Sequence, residues 1–411
     1  MRKFVKVLSG FLAAAMTACA VPAVAQASER KTPELVAEAL NGCSPEAVTE
    51  ALNGYSLGYM SWGVRKMGLH TLQEKLERSG KPLPEVRVAV LDTGLKKTNR
   101  YLQGRYINDG YNFVDNNTDF DDDQYHGTEV SGVIADGTSS NVKILPIKVM
   151  DGNGDGKMAD TAKGIYYALE HGADVINLSL SGDDKNHTYH SLDDAIAEAV
   201  ARNVVVVVAA GNEDTDASLR YPANKDNVIT ITSVNKNNRL GLLANYGSVV
   251  DFALPGMNIL APHKSIMLPD SGTSLAAPHA AAAAALLKTW CKDLNQEQVM
   301  EILKQHAVDL GEPGFDNTYG WGMLDLSDFD INAAPPEKPA EPEPALTGDV
   351  NLDGTVDIND ATLLQQYLSE MTELSDAQLA VADANGDGGI DINDVTIIQR
   401  YIAELIPSLG N

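Results

Sequence analysis

Residues 203–213, NVVVVVAAGNE, carry five consecutive valines and then break into Ala-Ala-Gly-Asn. β-Branched side chains crowd a helix and suit a pleated strand, and a run without polar alternation suits a strand covered on both faces. The same reading holds for VRVAVL (86–91), VKILPIKV (142–149), DVINLSL (174–180) and VITITSV (228–234). Helical patterns fall at 159–171, 192–202, 274–288 and 295–306. Strand and helix in alternation predict an α/β domain: one parallel sheet with helices on both faces.

The 411 residues, 44% of them hydrophobic, allow a large packed domain and at least one small one. At the N-terminus Arg2, Lys3 and Lys6 precede an apolar run and Ala-x-Ala sites at 23–25 and 25–27, the pattern of a secretory signal peptide over 1–27. An uncleaved anchor is the alternative; the apolar core is short for one. Residues 28–60 are read as a short helical segment that either serves as a reduced prosegment or does not serve as one. Cys43 and Cys291 permit one disulfide, and core packing explains them equally. A formal charge of −26 argues against nucleic acid, since phosphate binding needs basic surface. AAPPEKPAEPEPA (333–345) joins proline to charge and reads as a spacer. The expected domains are therefore 61–332 and 346–407.

Four residues fall at strand or helix ends of the larger domain. Asp92 closes the strand VRVAVLD, His126 opens HGTEVSGVIA, and Ser274 stands in SGTSLAAPHAA. A serine hydroxyl is a weak nucleophile until an imidazole takes its proton, and the imidazolium needs a fixed carboxylate. Asn212, after the valine run, offers an amide N–H to a developing oxyanion. Ser274 is expected to be the N-cap of its helix, with Pro278 at the fourth helical position, where no intrahelical bond is lost.

VAVLDTG, HGTEVSG, AAGN and GTSLAAPHAA, in that order, resemble the motifs of subtilisin-like serine proteases, and the Asp-His-Ser order is that family's. The resemblance runs over about residues 60–330 and implies a serine endopeptidase acting through an acyl-enzyme, with no cofactor in the chemistry. It also implies a cleft in which an extended peptide pairs with Gly154, Asp155 and Gly156 on one side and Ser179, Leu180 and Ser181 on the other. It places Arg220 near the floor of the primary pocket, where a cation favours acidic or polar side chains, unless the guanidinium turns to solvent. Glu129 stands where the family usually has a second histidine and is read as a packing or solvent difference; Leu275 replaces a methionine. The segment after the histidine helix lacks the family's calcium loop, so strong calcium binding is not expected there.

DGNGDG (151–156) looks like half a calcium loop, but its ninth and twelfth positions are Ala159 and Ala162. Two complete loops lie past the spacer. Asp349, Asn351, Asp353, Thr355, Asp357 and Asp360 take positions 1, 3, 5, 7, 9 and 12, and Asp383, Asn385, Asp387, Gly389, Asp391 and Asp394 repeat them. Thr355 and Gly389 would offer carbonyls, and an amphipathic helix follows each loop. The paired unit resembles a dockerin, which implies two calcium ions and a cohesin domain of a scaffoldin as partner, in a secreted, cellulosome-type setting. By the same resemblance Ile358, Asn359, Gln365 and Gln366, with Ile392, Asn393, Gln399 and Arg400, would meet the cohesin. The other reading is a catalytically silent peptide- or inhibitor-binding protein docked in the same way.

Overall fold

The structure, a computed structural model, describes residues 5–7, 61–183, 189–264, 266–337, 346–369 and 371–409. Apart from Val5–Val7, the expected signal peptide, the segment 28–60 and Cys43 lie outside the described residues. The chain divides into two compact units, 1–337 and 338–411.

In chain order the first unit holds β1 (Val5–Val7), α1 (Trp62–Lys66), α2 (Leu69–Arg78), β2 (Val86–Asp92), β3 (Tyr111–Asn112), α3 (His126–Asp136), β4 (Val142–Lys148) and β5 (Asp155–Gly156). There follow α4 (Met158–Glu170), β6 (Val175–Leu178), β7 (Leu180–Asp183), α5 (His190–Ala201), β8 (Val205–Ala209), β9 (Arg220–Tyr221), β10 (Ile229–Val234) and β11 (Phe252–Pro255). The unit ends with β12 (Ile259–His263), β13 (Ile266–Asp270), α6 (Thr273–Trp290), α7 (Gln296–Gln305), β14 (Ala307–Val308) and β15 (Met323–Leu324). Seven strands form a parallel sheet in the order β11-β10-β8-β6-β2-β4-β3.

Alternation within each strand divides the core. Val86, Val88 and Val90 of β2 join one apolar cluster with α2, α3 and α6, whereas Ala89 and Leu91 join a second with α4 and α5. Helices thus cover both faces, as the continuous apolar strands require. Helix α6 is buried along nearly its whole length and packs across β2, β6, β8 and β10. Its run Ala280–Ala285 is apolar all round, the pattern of an interior helix, and small enough to let the helix axis approach the sheet.

Among its described residues the second unit carries three helices, α8 (Ile358–Leu368), α9 (Asp376–Ala382) and α10 (Ile392–Ile402). Its core is Val350, Ala361, Leu364, Ala382, Ala384, Val395 and Ile398. Helices α8 and α10, one after each expected loop, pack together. Helix α9, capped by Ser375 and Gln378, is an addition to the sequence expectation. Met371 and Leu405 lie beyond the ends of α8 and α10 and are exposed.

Candidate active site and calcium loops

Asp92, Ser179 and Asn212 leave the carboxyl ends of β2, β6 and β8, three adjacent strands, the edge where sites of parallel sheets gather. Asp92 is fully buried, and its Oδ1 and Oδ2 lie 2.8 and 3.0 Å from Nδ1 of His126. Helix α3 can press its first residues onto the end of β2 because residue 127 is glycine. A Cβ there would meet the Gly94 carbonyl oxygen at 2.2 Å. Thr93 Oγ1 accepts from Gly127 N (2.9 Å). The N-cap, Tyr125, is left-handed and makes no side-chain cap, so Asp122 serves instead, accepting from Tyr125 N, Thr128 N and Thr128 Oγ1. Burial pulls the His126 imidazole down, but the charge and hydrogen bond of Asp92 together with the charges of Glu129 and Asp270 outweigh it, and the pKa is raised to about 9.

The N-cap of α6 is Gly272 rather than Ser274, and Ser274 is the second helical residue. Pro278 consequently falls inside the helix, where its missing N–H leaves the Ser274 carbonyl without its usual partner four residues on. The hydroxyl of Ser179 takes that role, donating to Ser274 O at 2.8 Å. The residue expected to line the cleft thus also ties the serine backbone to the β6–β7 turn. Thr273 pins the helix start to β8: its Oγ1 accepts from Gly211 N (3.1 Å), and its N–H donates to Asn212 Oδ1 (2.9 Å). A Cβ at Gly272 would lie 3.2 Å from both Asn212 Nδ2 and Ser274 Oγ, so amide and hydroxyl converge on one spot. Ser274 Oγ and His126 Nε2 are both buried without a hydrogen-bond partner among the described residues. The link between them is not closed here; contacts of this kind tighten when substrate packs against them.

An extended segment of the chain pairs with both β5 and β7. Val5–Val7 lies antiparallel between β5 and β7, with Lys6 opposite Asp155 and Ser181, Val5 opposite Gly156 and Val7 opposite Leu180. These are the two edges that the sequence marks for a peptide. DGNGDG shapes one of them. The Asp151 carboxylate accepts from Asn153 N (2.8 Å) and Asp155 N (3.1 Å), so it stabilises its own turn. Gly154 sits at φ 77°, and a Cβ on Gly156 would meet the Val149 carbonyl oxygen at 2.6 Å. Gly156→Val is therefore expected to displace β5 and raise KM for long peptides more than for short ones. Asp151→Ala is expected to leave the calcium count unchanged, and calorimetric titration that loses an ion in Asp151→Ala would reverse that reading.

Arg220 departs from expectation. Its guanidinium joins β7 to the segment after β8, pairing with Asp183 on β7 and with Glu213 (3.0 Å) after β8, and donating to Ser181 Oγ (3.1 Å). The cation is neither turned to solvent nor offered alone; two carboxylates offset it. Neither partner is legible from the sequence, because nothing local joins positions 183, 213 and 220.

In the second unit Asp360 and Asp394, at position 12, are fully buried, and Asp349 nearly so. Asp360 accepts from Asn351 N (2.9 Å) and Asp357 N (2.8 Å), and Asp394 repeats this with Asn385 N (3.1 Å) and Asp391 N (2.8 Å). Asp357 and Asp391 are also the N-caps of α8 and α10. Burial, opposed by these backbone hydrogen bonds, and the charges of Asp349 and Asp357 raise the Asp360 pKa. Among the described residues no cluster of three or more acidic, histidine or cysteine side chains is drawn together as a finished metal cage. The donor set is nonetheless all oxygen, carries like charge and is turned inward at position 12, which suits calcium. Ile358, Asn359, Gln365, Gln366, Ile392, Asn393, Gln399 and Arg400 are all exposed, and the two isoleucines are 57% and 59% accessible. Apolar side chains so open on capped, well-formed helices suit a contact surface.

A carboxylate-held imidazole, an unpaired serine at a helix start and an amide aimed beside it form the equipment of a serine hydrolase. Residues 84–322, more than half of the chain, match the Subtilase family, and the chain belongs to that family. Residues 347–403 match the dockerin type I domain, a calcium-binding module. The chain is 30% identical over 305 residues to the minor extracellular protease Epr of Bacillus subtilis, covering 72% of this chain and 45% of that protein. It is 37% identical over 245 residues to a thermophilic serine proteinase of Bacillus sp. strain AK1, covering 57% of this chain and 59% of that one. The match thus spans about half the length of each relative. A cold adapted subtilisin-like serine proteinase superposes with a TM-score of 0.55 at 29% identity, over 60% of this chain and 90% of its own. Among the described residues no helix is long and apolar enough to cross a membrane.

Proposed function

We propose that the chain is a secreted serine endopeptidase carried to a cohesin-bearing scaffold by its calcium-loaded dockerin. The observation that supports it most is the buried Asp92–His126 pair together with a buried serine whose hydroxyl has no hydrogen-bond partner among the described residues. Ser274 Oγ attacks the peptide carbonyl carbon while His126 Nε2 takes its proton, and Asn212 Nδ2 donates to the oxygen that becomes negative. His126 then gives the proton to the amine, the C–N bond breaks, and a Ser274 ester remains. Water, deprotonated by His126, attacks the ester, and the proton returns to Ser274. Asp92 holds the imidazole throughout. The peptide runs between Gly154–Gly156 and Ser179–Ser181. The working division is a leader over 1–27, a short segment over 28–60, the peptidase over 61–332, the linker over 333–345 and the dockerin over 346–407. A fluorophosphonate probe should label the wild-type chain and not Ser274→Ala. An unlabelled wild type would favour the silent peptide-binding alternative.

Arg220 belongs to the specificity reading, with its role revised by its partners. A guanidinium held by Asp183, Glu213 and Ser181 forms a crossbar, so the pocket takes small or neutral polar side chains in place of large apolar ones. Arg220→Gly should open it to bulky residues in a peptide-library profile. An unchanged profile would place the crossbar outside the pocket.

A further inference from the structure

Asn212 is carried by the stretch 210–215 that leaves β8, and a second asparagine holds that stretch. Asn245, between β10 and β11, is fully buried. Its Nδ2 donates to the Ala210 carbonyl (3.0 Å) and to Glu213 Oε2 (2.7 Å), and its Oδ1 accepts from Glu213 N (3.0 Å) and Thr215 N (3.1 Å). A side-chain amide offers two donors and two acceptor sites, so the group is saturated, and each of these partners falls within 210–215. The Asn245 N–H donates to the Gly211 carbonyl (2.9 Å), and the Asn245 carbonyl accepts from Thr232 Oγ1 on β10 (2.6 Å). The contacts bracket Asn212, with Ala210 and Gly211 before it and Glu213 and Thr215 after it, and tie the bracket to the sheet.

The approach is close enough to need glycine. Gly211 sits at φ 109°, and a Cβ on it would meet Asn245 Nδ2 at 2.2 Å and Glu213 Oε2 at 2.7 Å. Glu213 extends the network outward, its other oxygen pairing with Arg220 (3.0 Å). Thr273 N donates to Asn212 Oδ1 (2.9 Å) and so sets which way that amide faces. Asn245 fixes the backbone from which it projects. A donor stabilises a developing oxyanion most when it needs no reordering as the charge forms.

We propose that Asn245 is a positioning residue for peptide cleavage: it holds the backbone on both sides of Asn212, so that the Asn212 amide is in place before the oxyanion forms. It touches neither substrate nor the reacting atoms and acts through Asn212. The inference rests on the peptidase reading, with Asn212 as the oxyanion donor.

The test is a mutant cycle on the full-length chain, with kcat and KM measured on a peptide anilide and active sites counted by fluorophosphonate titration. Asn212→Ala should lower kcat by roughly 10^2–10^3, and Asn245→Ala by about tenfold with KM little changed, since only part of the donor's effect is lost. In the Asn212→Ala background Asn245→Ala should cost nothing further, because the group it positions is gone. Asn245→Ser keeps a hydroxyl for the stranded Glu213 and Thr215 N–H groups; it should show the same pattern more weakly and serves if Asn245→Ala does not fold. A peptidyl trifluoromethyl ketone gives a second readout: Ser274 Oγ bonds to its carbonyl carbon, the serine proton passes to His126, and the former carbonyl oxygen takes the negative charge. The carbon-13 shift of that carbon reports the pKa of the adduct oxygen, which should rise by about one unit in Asn245→Ala, the equivalent of a tenfold loss in rate. An equal kcat loss with and without Asn212, or a loss confined to KM, would make Asn245 a support of the fold alone and overturn the proposal. Asn212→Ala impaired with Asn245→Ala unimpaired would overturn this proposal alone, whereas Asn212→Ala as active as wild type would overturn the oxyanion reading and this one with it.

Discussion

Ser274→Ala should lower kcat by a factor of about 10^6, the size of this effect in subtilisin, a member of the same family, carried over to this chain. His126→Ala should cost as much, and the double variant no more, because nucleophile and base work as one unit. The two variants should differ in stability. Ser274 Oγ has no partner among the described residues, so its removal leaves no donor or acceptor stranded, and the melting temperature should hold. His126→Ala leaves Asp92 fully buried with the Thr93 N–H still donating to it and no cation beside it, a cost of about 3–5 kcal/mol for a buried pair broken on one side. Amidase assays and thermal melts of the three variants check both halves, and single variants as active as wild type would end the triad assignment.

Removing calcium should unfold the second unit and leave the peptidase unit folded and active. Each loop gathers four aspartates and an asparagine, and among the described residues their oxygens accept from backbone and side-chain N–H and O–H groups of their own loop. The apolar core beneath is small. A small core with buried like charges is marginal, and ion binding contributes folding free energy, roughly 4 kcal/mol when calcium stands a thousandfold above its Kd. Calorimetry of the full-length chain should show two transitions, the smaller one lost in chelator. Calcium titration should count two ions, and Asp349→Ala with Asp383→Ala should abolish both ions and cohesin binding while peptide cleavage continues. A chelator-resistant small transition would show that the unit folds without the metal.

Elements with a strong local period are legible in the chain of residues alone. The valine run forms β8, VRVAVLD forms β2, and the helical pattern at 192–202 forms His190–Ala201. Period and turn chemistry are properties of neighbours in the chain, so a single sequence carries them. Asp92, His126, Ser274 and Asn212 are legible as candidates, since each lies at or near the end of an element that local pattern already defines. The cleft edges and loop ligands come from motif resemblance. What the chain alone does not show are partnerships between distant residues. Ser179 supports the Ser274 carbonyl across 95 positions, and Glu129 meets His263 across 134. Arg220 finds Asp183 and Glu213, and Ser274 yields the N-cap to Gly272 because Thr273, tied to Gly211 and Asn212, draws the helix start toward the end of β8. Local preference names the elements and their ends; burial and the pairing of charges among those ends depend on how the sheet and helices close around them, and only the tertiary structure decides that.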